Sequence, residues 1–115
     1  MQNANQTSGF RPPTSMTRRE KQLFNRVQKL RKSRERPLTE GEIPVLIDYV
    51  RTMTRIEVLS AIFAEDDRRM RSNRNDAATK ARLVATARQI DASTKLAHGM
   101  WERLVNAPAA AASLS

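Results

Sequence analysis

The chain has 115 residues, 39% of them hydrophobic and 4% aromatic, and carries 21 Lys or Arg against 12 Asp or Glu, a net charge of +9. So lean a composition on so short a chain supports one small domain with a thin core, which needs disulfides, a metal or oligomerisation to be stable. With no Cys and a single His, disulfides and a Cys/His zinc set are excluded, so oligomerisation is the expected route.

No apolar run approaches the roughly 20 residues that cross a bilayer, and no apolar signal segment opens the sequence, so a soluble intracellular protein without a membrane role is expected. Residues 1–16 are polar, contain Gly9 and the pair Pro12–Pro13, and carry no periodicity. They read as a disordered arm. Thr17 and Glu20 form a capping box that opens a basic helix over residues 17–36. Leu23, Phe24, Val27 and Leu30 fall on one face of it, and Arg18, Arg19, Lys21, Arg26, Lys29 and Lys32 on the other. Arg31 and Arg34 intrude on the apolar stripe, so the spacing predicts fraying there, before Pro37.

Residues 38–106 read as a long antiparallel helical hairpin. A second capping box, Thr39 to Glu42, opens its first helix, and Pro44 is tolerated because it lies in the first turn. The apolar set Ile43, Leu46, Ile47, Val50, Met53, Ile56, Leu59, Ile62 and Phe63 is wide enough to touch two neighbours. Ser72 to Asp76 is turn chemistry with Asp76 as N-cap. The second hairpin helix carries Leu83, Ala87, Ile90, Thr94, Ala97, Trp101 and Leu104 at alternating steps of four and three, a heptad seam of the kind that specifies helical hairpins and oligomers. Leu46, Val50, Met53, Leu83, Ile90, Trp101 and Leu104 are therefore the expected oligomerisation residues. Residues 107–115 are Ala-rich and read as a flexible tail. The fold class is all-α: a basic N-terminal helix followed by a hairpin that oligomerises.

The strongest functional signal is charge. Residues 11–36 hold ten Lys or Arg against two Glu, which is +8 of the chain's +9. Clustered cations bind phosphate backbones through counterion release, so Arg18, Arg19, Lys21, Arg26, Lys29, Arg31, Lys32 and Arg34 are the candidate DNA-binding residues. Phe24 belongs to the apolar stripe, which disfavours base stacking on single strands.

Other groups have plainer readings. Met100 and Trp101 could form an exposed patch, but Trp101 sits on the seam with Leu104, so core packing is the reading there, and His98 reads as a surface residue. Glu65, Asp66 and Asp67 are followed at once by Arg68, Arg69 and Arg71, which neutralise them. No Gly-rich phosphate loop, nucleophile elbow or pair of carboxylates at a helix i,i+3 or i,i+4 spacing is read in the sequence, so no catalytic residue, cofactor or metal is expected. Two other classes stay open: an adaptor oligomer whose basic helix binds RNA or an acidic protein, and a small helical enzyme that would use Arg51, Arg55 and Arg88 on a dicarboxylate. The second lacks an inward-facing basic cluster on the seam.

The order of a basic helix, then Leu38–Thr39 with Ile43, Leu46, Ile47 and Tyr49, then a long helix ending in Met100-Trp-Glu-Arg-Leu-Val-Asn106, resembles the small terminase subunits of tailed bacteriophages. The likeness spans roughly residues 18–106 and rests on patterning and layout. It implies a ring-shaped homo-oligomer in the cytoplasm of a bacterial host, which binds viral double-stranded DNA and regulates the ATP-driven large terminase subunit during genome packaging. Unlike many members, this sequence shows no N-terminal helix-turn-helix. That departure from the family pattern leaves non-specific DNA contact by the basic helix, rather than recognition of a packaging site, as the expectation.

Overall fold

A computed structural model describes residues 9–106. Among these the chain is all-helical: α1 Arg18–Ser33, a 3₁₀ turn Glu40–Glu42, α2 Ile43–Ser72, α3 Ala77–Trp101 and a closing π-turn Glu102–Asn106. At 1.5 Å per residue, α2 is about 45 Å long and α3 about 37 Å. The two long helices pack against each other as a hairpin. None of the described helices is long and apolar enough to cross a membrane.

Each boundary has a local cause. At the start of α1, the Thr17 backbone N–H donates to Glu20 Oε1 at 2.8 Å and the Glu20 N–H to Thr17 Oγ1 at 3.1 Å, completing the expected box. The end of α1 departs from expectation. The helix does not fray at Arg31 but runs to Ser33 and closes in a Schellman motif, Arg36 N–H to Arg31 O and Glu35 N–H to Lys32 O, both 3.0 Å. Glu35 takes the left-handed position, φ 58°, without the glycine that usually fills it. At the tip of the hairpin Asp76 caps α3: its Oδ1 accepts the Thr79 N–H at 3.0 Å and its Oδ2 the Thr79 hydroxyl at 2.6 Å. Those two donors hold the Asp76 carboxyl below its ordinary value.

The described residues divide into two compact units, one made of residues up to Arg51 together with those from Gly99 onward, the other of Thr52–His98. The first holds nearly all of the core. Met16, Leu23, Phe24, Val27, Leu38, Leu46, Tyr49, Val50, Met100, Leu104 and Val105 are buried there. Three pieces of chain supply most of them: α1, the opening turns of α2 and the end of α3 with its π-turn. Of the wide apolar face predicted for α2, Leu46 and Val50 are buried here, with Ile43 and Ile47 half-buried beside them. Tyr49 and Trp101 lie with ring centroids 5.7 Å apart, a tilted pair in the favourable range.

The second unit is thin. Its buried residues are Asp66, Thr79, Thr86 and Ala97, and its other apolar side chains are half-buried or exposed. Asp66 is held by Arg82, with Nε to Oδ2 and Nη2 to Oδ1 both 2.7 Å. That fork is planar and bidentate, the strong form of carboxylate recognition, and it keeps the Asp66 carboxyl below its ordinary value. Around it, Glu65 pairs with Arg68 and Arg69, and Asp67 with Arg71 at 2.9 Å, so the acidic run is neutralised on its own helix and by α3.

The heptad seam of α3 needs correction. Thr79, Thr86, Ala97, Met100 and Leu104 are buried, with Leu83, Ile90 and Ser93 half-buried, a stripe that also steps by four and three. It shares Leu83, Ile90, Ala97 and Leu104 with the predicted seam. Thr94 is exposed, and Ala87 and Trp101 lie at the edge of the stripe as half-buried residues.

Candidate nucleic-acid interface

The outer face of α1 is built by exclusion. Leu23, Phe24 and Val27 recur at the helical period and are buried, so the residues between them must face solvent. Arg18, Arg19, Lys21, Arg26, Lys29 and Lys32 are all exposed. They line a helix of 16 residues, about 24 Å long, comparable to seven base pairs at roughly 3.4 Å each. Arg26 is close enough for its charge to act on Tyr49. Burial pushes that phenol above its ordinary value of 10.0, and the guanidinium pulls against the shift.

Arg31 does not belong to this face. The residue is 4% exposed. Its Nη1 and Nη2 donate to Glu42 Oε2 and Oε1 at 2.8 and 3.0 Å, its Nε to Arg36 O at 2.7 Å, and Nη1 again to Leu104 O at 2.6 Å. Arg34 donates from Nη1 to Val105 O at 3.0 Å. The last carbonyls of a helix have no partner within it, and here two arginines of the α1 end supply donors to carbonyls of the π-turn that closes α3. This explains why both sit on the apolar side of α1: they are helix caps delivered from another helix. Arg31 is thereby removed from the candidate phosphate contacts, and Arg34 commits part of its guanidinium to structure.

Glu42 joins these contacts to the start of α2. Besides Arg31, its Oε1 accepts the Thr39 backbone N–H at 3.0 Å and the Thr39 hydroxyl at 3.1 Å. Partial burial alone would raise the Glu42 carboxyl, yet the Arg31 guanidinium and the Thr39 donors outweigh it and hold the group below its ordinary 4.5.

The arm preceding α1 is also more ordered than its composition implies. The Phe10 N–H donates to Gln28 Oε1 and Gln28 Nε2 donates to Phe10 O, both at 2.7 Å. Met16 is buried. Residues 9–16 are thus held against α1, and Arg11, exposed, is carried alongside it. The rest of the predicted arm, residues 1–8, and the predicted tail, 107–115, lie outside the described residues.

The expected oligomerisation residues separate into two groups. Leu46, Val50 and Leu104 are buried within the single chain at 1% exposure or less, so they form its own core. Met53, Leu83, Ile90 and Trp101 are half-buried and can extend a contact to another molecule. Among the described residues, the large apolar side chains left exposed are Val58, Ile62, Val84 and Leu96. Of these only Ile62 belongs to the predicted apolar set. Val58, Val84 and Leu96 carry no periodic signal of their own.

Among the described residues no group of three or more His, Asp or Glu is placed to hold a metal ion. No protein-family profile, curated protein or solved structure matches the chain.

Proposed function

We propose that this protein binds double-stranded DNA through the outer face of α1 and does so as a homo-oligomer, in the manner of a small terminase subunit that assembles as a ring and regulates a large terminase subunit. The observation that carries the DNA reading is the segregation on α1. Six cations stand exposed on one side while the other side is tied into a core. The two arginines that break the pattern are accounted for by carbonyls and a carboxylate of the same chain. A helix held rigidly in this way presents its cations without first paying to order them.

Oligomerisation is supported by the thinness of the Thr52–His98 unit, whose apolar side chains are mostly half-buried or exposed. One helix with about five phosphate contacts binds duplex in the non-specific range of roughly 10⁻⁴ to 10⁻⁶ M, and several linked copies raise the effective concentration of each further contact. Fluorescence anisotropy with a labelled duplex tests the reading. Arg18→Gln, Lys21→Gln and Lys29→Gln combined should weaken binding at least tenfold at equal salt while leaving the helical circular dichroism unchanged. Retained affinity would reject α1 as the interface. Native mass spectrometry separates a ring of many subunits from a dimer.

A further inference from the structure

The exposed side of α2, within the Thr52–His98 unit, carries Arg55, Val58, Ile62 and Glu65 at steps of three, four and three. Val58 is 59% and Ile62 41% exposed, and Arg55 and Glu65 are exposed as well. On α3, by contrast, Val84 and Leu96 are twelve residues apart, which places them about 120° from each other around the helix. They do not form a stripe.

The α2 pattern reads the same from either end, with residue 60 at its centre, except that its two ends carry opposite charges. Such a stripe is self-complementary in one orientation. When two copies cross antiparallel about a twofold axis near residue 60, Val58 meets Ile62 of the second copy and Ile62 meets its Val58. Arg55 then meets Glu65 at both ends. This is the layer order of an antiparallel coiled coil and the reciprocity that an isologous contact demands. A parallel pairing would set Arg55 against Arg55 and Glu65 against Glu65, which like-charge repulsion disfavours. Ala61 lies beside the axis and is exposed, a small side chain that lets two helix backbones approach. One step further out, Arg51 would face Arg69 of the second copy, so the favourable stretch ends after about three turns. Glu65 already meets Arg68 and Arg69 on its own helix, but those pairs are exposed and weak, and a carboxylate has about four acceptor sites.

We propose that this face of α2 is a homodimer contact in which a second copy of the chain binds antiparallel, centred on residue 60, with Val58 and Ile62 at its middle and Arg55–Glu65 pairs at its ends. The inference does not rest on DNA binding, and a ring built with such a contact has an even number of chains.

The test uses the full chain, whose lack of Cys makes one engineered thiol unambiguous. Ala61→Cys should be captured as a covalent dimer by a short bismaleimide, in a concentration-dependent manner. In that background Arg55→Glu alone places Glu against Glu, and Glu65→Arg alone places Arg against Arg, so each should lose capture at least tenfold. Mixing the two variants restores opposite charges at both ends of a heterodimer, and capture should return to within about twofold of the parent. Circular dichroism verifies that each variant is helical, and Arg103→Glu, exposed on the π-turn that closes α3, is the charge-change control. Failure of the parent to cross-link, equal capture by either single variant, or no recovery on mixing would each overturn the proposal.

Discussion

Replacing Arg31 by Ala tests whether this arginine is a structural lock rather than a DNA contact. The change removes a buried guanidinium, takes its donors from the carbonyls of Leu104 and Arg36, and leaves Glu42 with the Thr39 donors but no cation. Breaking a buried ion pair by deleting one partner costs about 3–5 kcal/mol. Because the Glu42 side chain is 29% exposed, water can partly replace the lost donor, which places this case near 3 kcal/mol. The Leu104 carbonyl adds about 1 kcal/mol. A loss of about 4 kcal/mol lowers the thermal midpoint of a domain of this size by roughly 20 °C. Arg31→Lys retains one charge but not the fork, and should lose about half as much. Adding Glu42→Gln to Arg31→Ala should recover part of the loss, because it removes the unpaired charge. The assay is thermal unfolding by circular dichroism, paired with duplex titration at a temperature where the variant is folded. An unchanged midpoint together with a loss of DNA affinity equal to that of Lys29→Gln would refute the reasoning.

Other outcomes follow from particular residues. Glu42 has a folded value depressed below 4.5, so the stability it adds is fully present above about pH 4.5 and is lost as pH falls through the folded value. Glu42→Gln should flatten the upper part of acid unfolding followed by fluorescence of Trp101. Glu35→Gly places glycine at φ 58° and should raise stability by about 1 kcal/mol in a urea titration. Thr94→Glu, on an exposed position, should change stability by less than about 0.5 kcal/mol. Thr86→Glu, on a buried one, should cost several times more, and equal effects would restore the predicted seam. Ile90→Asp should dissociate or unfold the oligomer in the ultracentrifuge and, where helix survives, reduce duplex affinity tenfold or more through lost avidity.

Much of the fold is legible in the sequence because local signals agree. Both capping boxes, the tolerated Pro44 and the Asp76 cap all lie where side-chain spacing puts them, since each depends on residues within three positions of each other. The phase of the α3 stripe is less legible. Two heptad phases share Leu83, Ile90, Ala97 and Leu104; hydrophobicity favours Ala87 over Thr86 and separates neither Thr94 from Ser93 nor Trp101 from Met100. What decides the phase is packing against α2, which leaves Thr79 and Thr86 buried and Thr94 exposed. For the basic helix the cations are visible, but their division is not. Arg31 and Arg34 plainly break the apolar stripe, and an expectation of fraying overlooks that orphan carbonyls of the distant residues 104 and 105 can use them. A basic residue on an otherwise apolar face is a signal for such capping, and it is present in the sequence. The exposed Arg55-to-Glu65 stripe is hidden because Ile62 fits the core pattern of α2 and Val58 stands alone.

The central claim, that duplex DNA is bound by the outer face of α1, is tested most directly by the salt dependence of affinity. About five neutralised phosphates give a slope of log affinity against log salt of roughly −4 to −5. Substituting Lys21, Arg26 and Lys29 by Gln should bring the slope to about −2, because each removed contact subtracts about 0.9, while Arg31→Lys should leave it unchanged. A slope that stays at its original value in the triple variant, or that changes with Arg31 alone, would contradict the account.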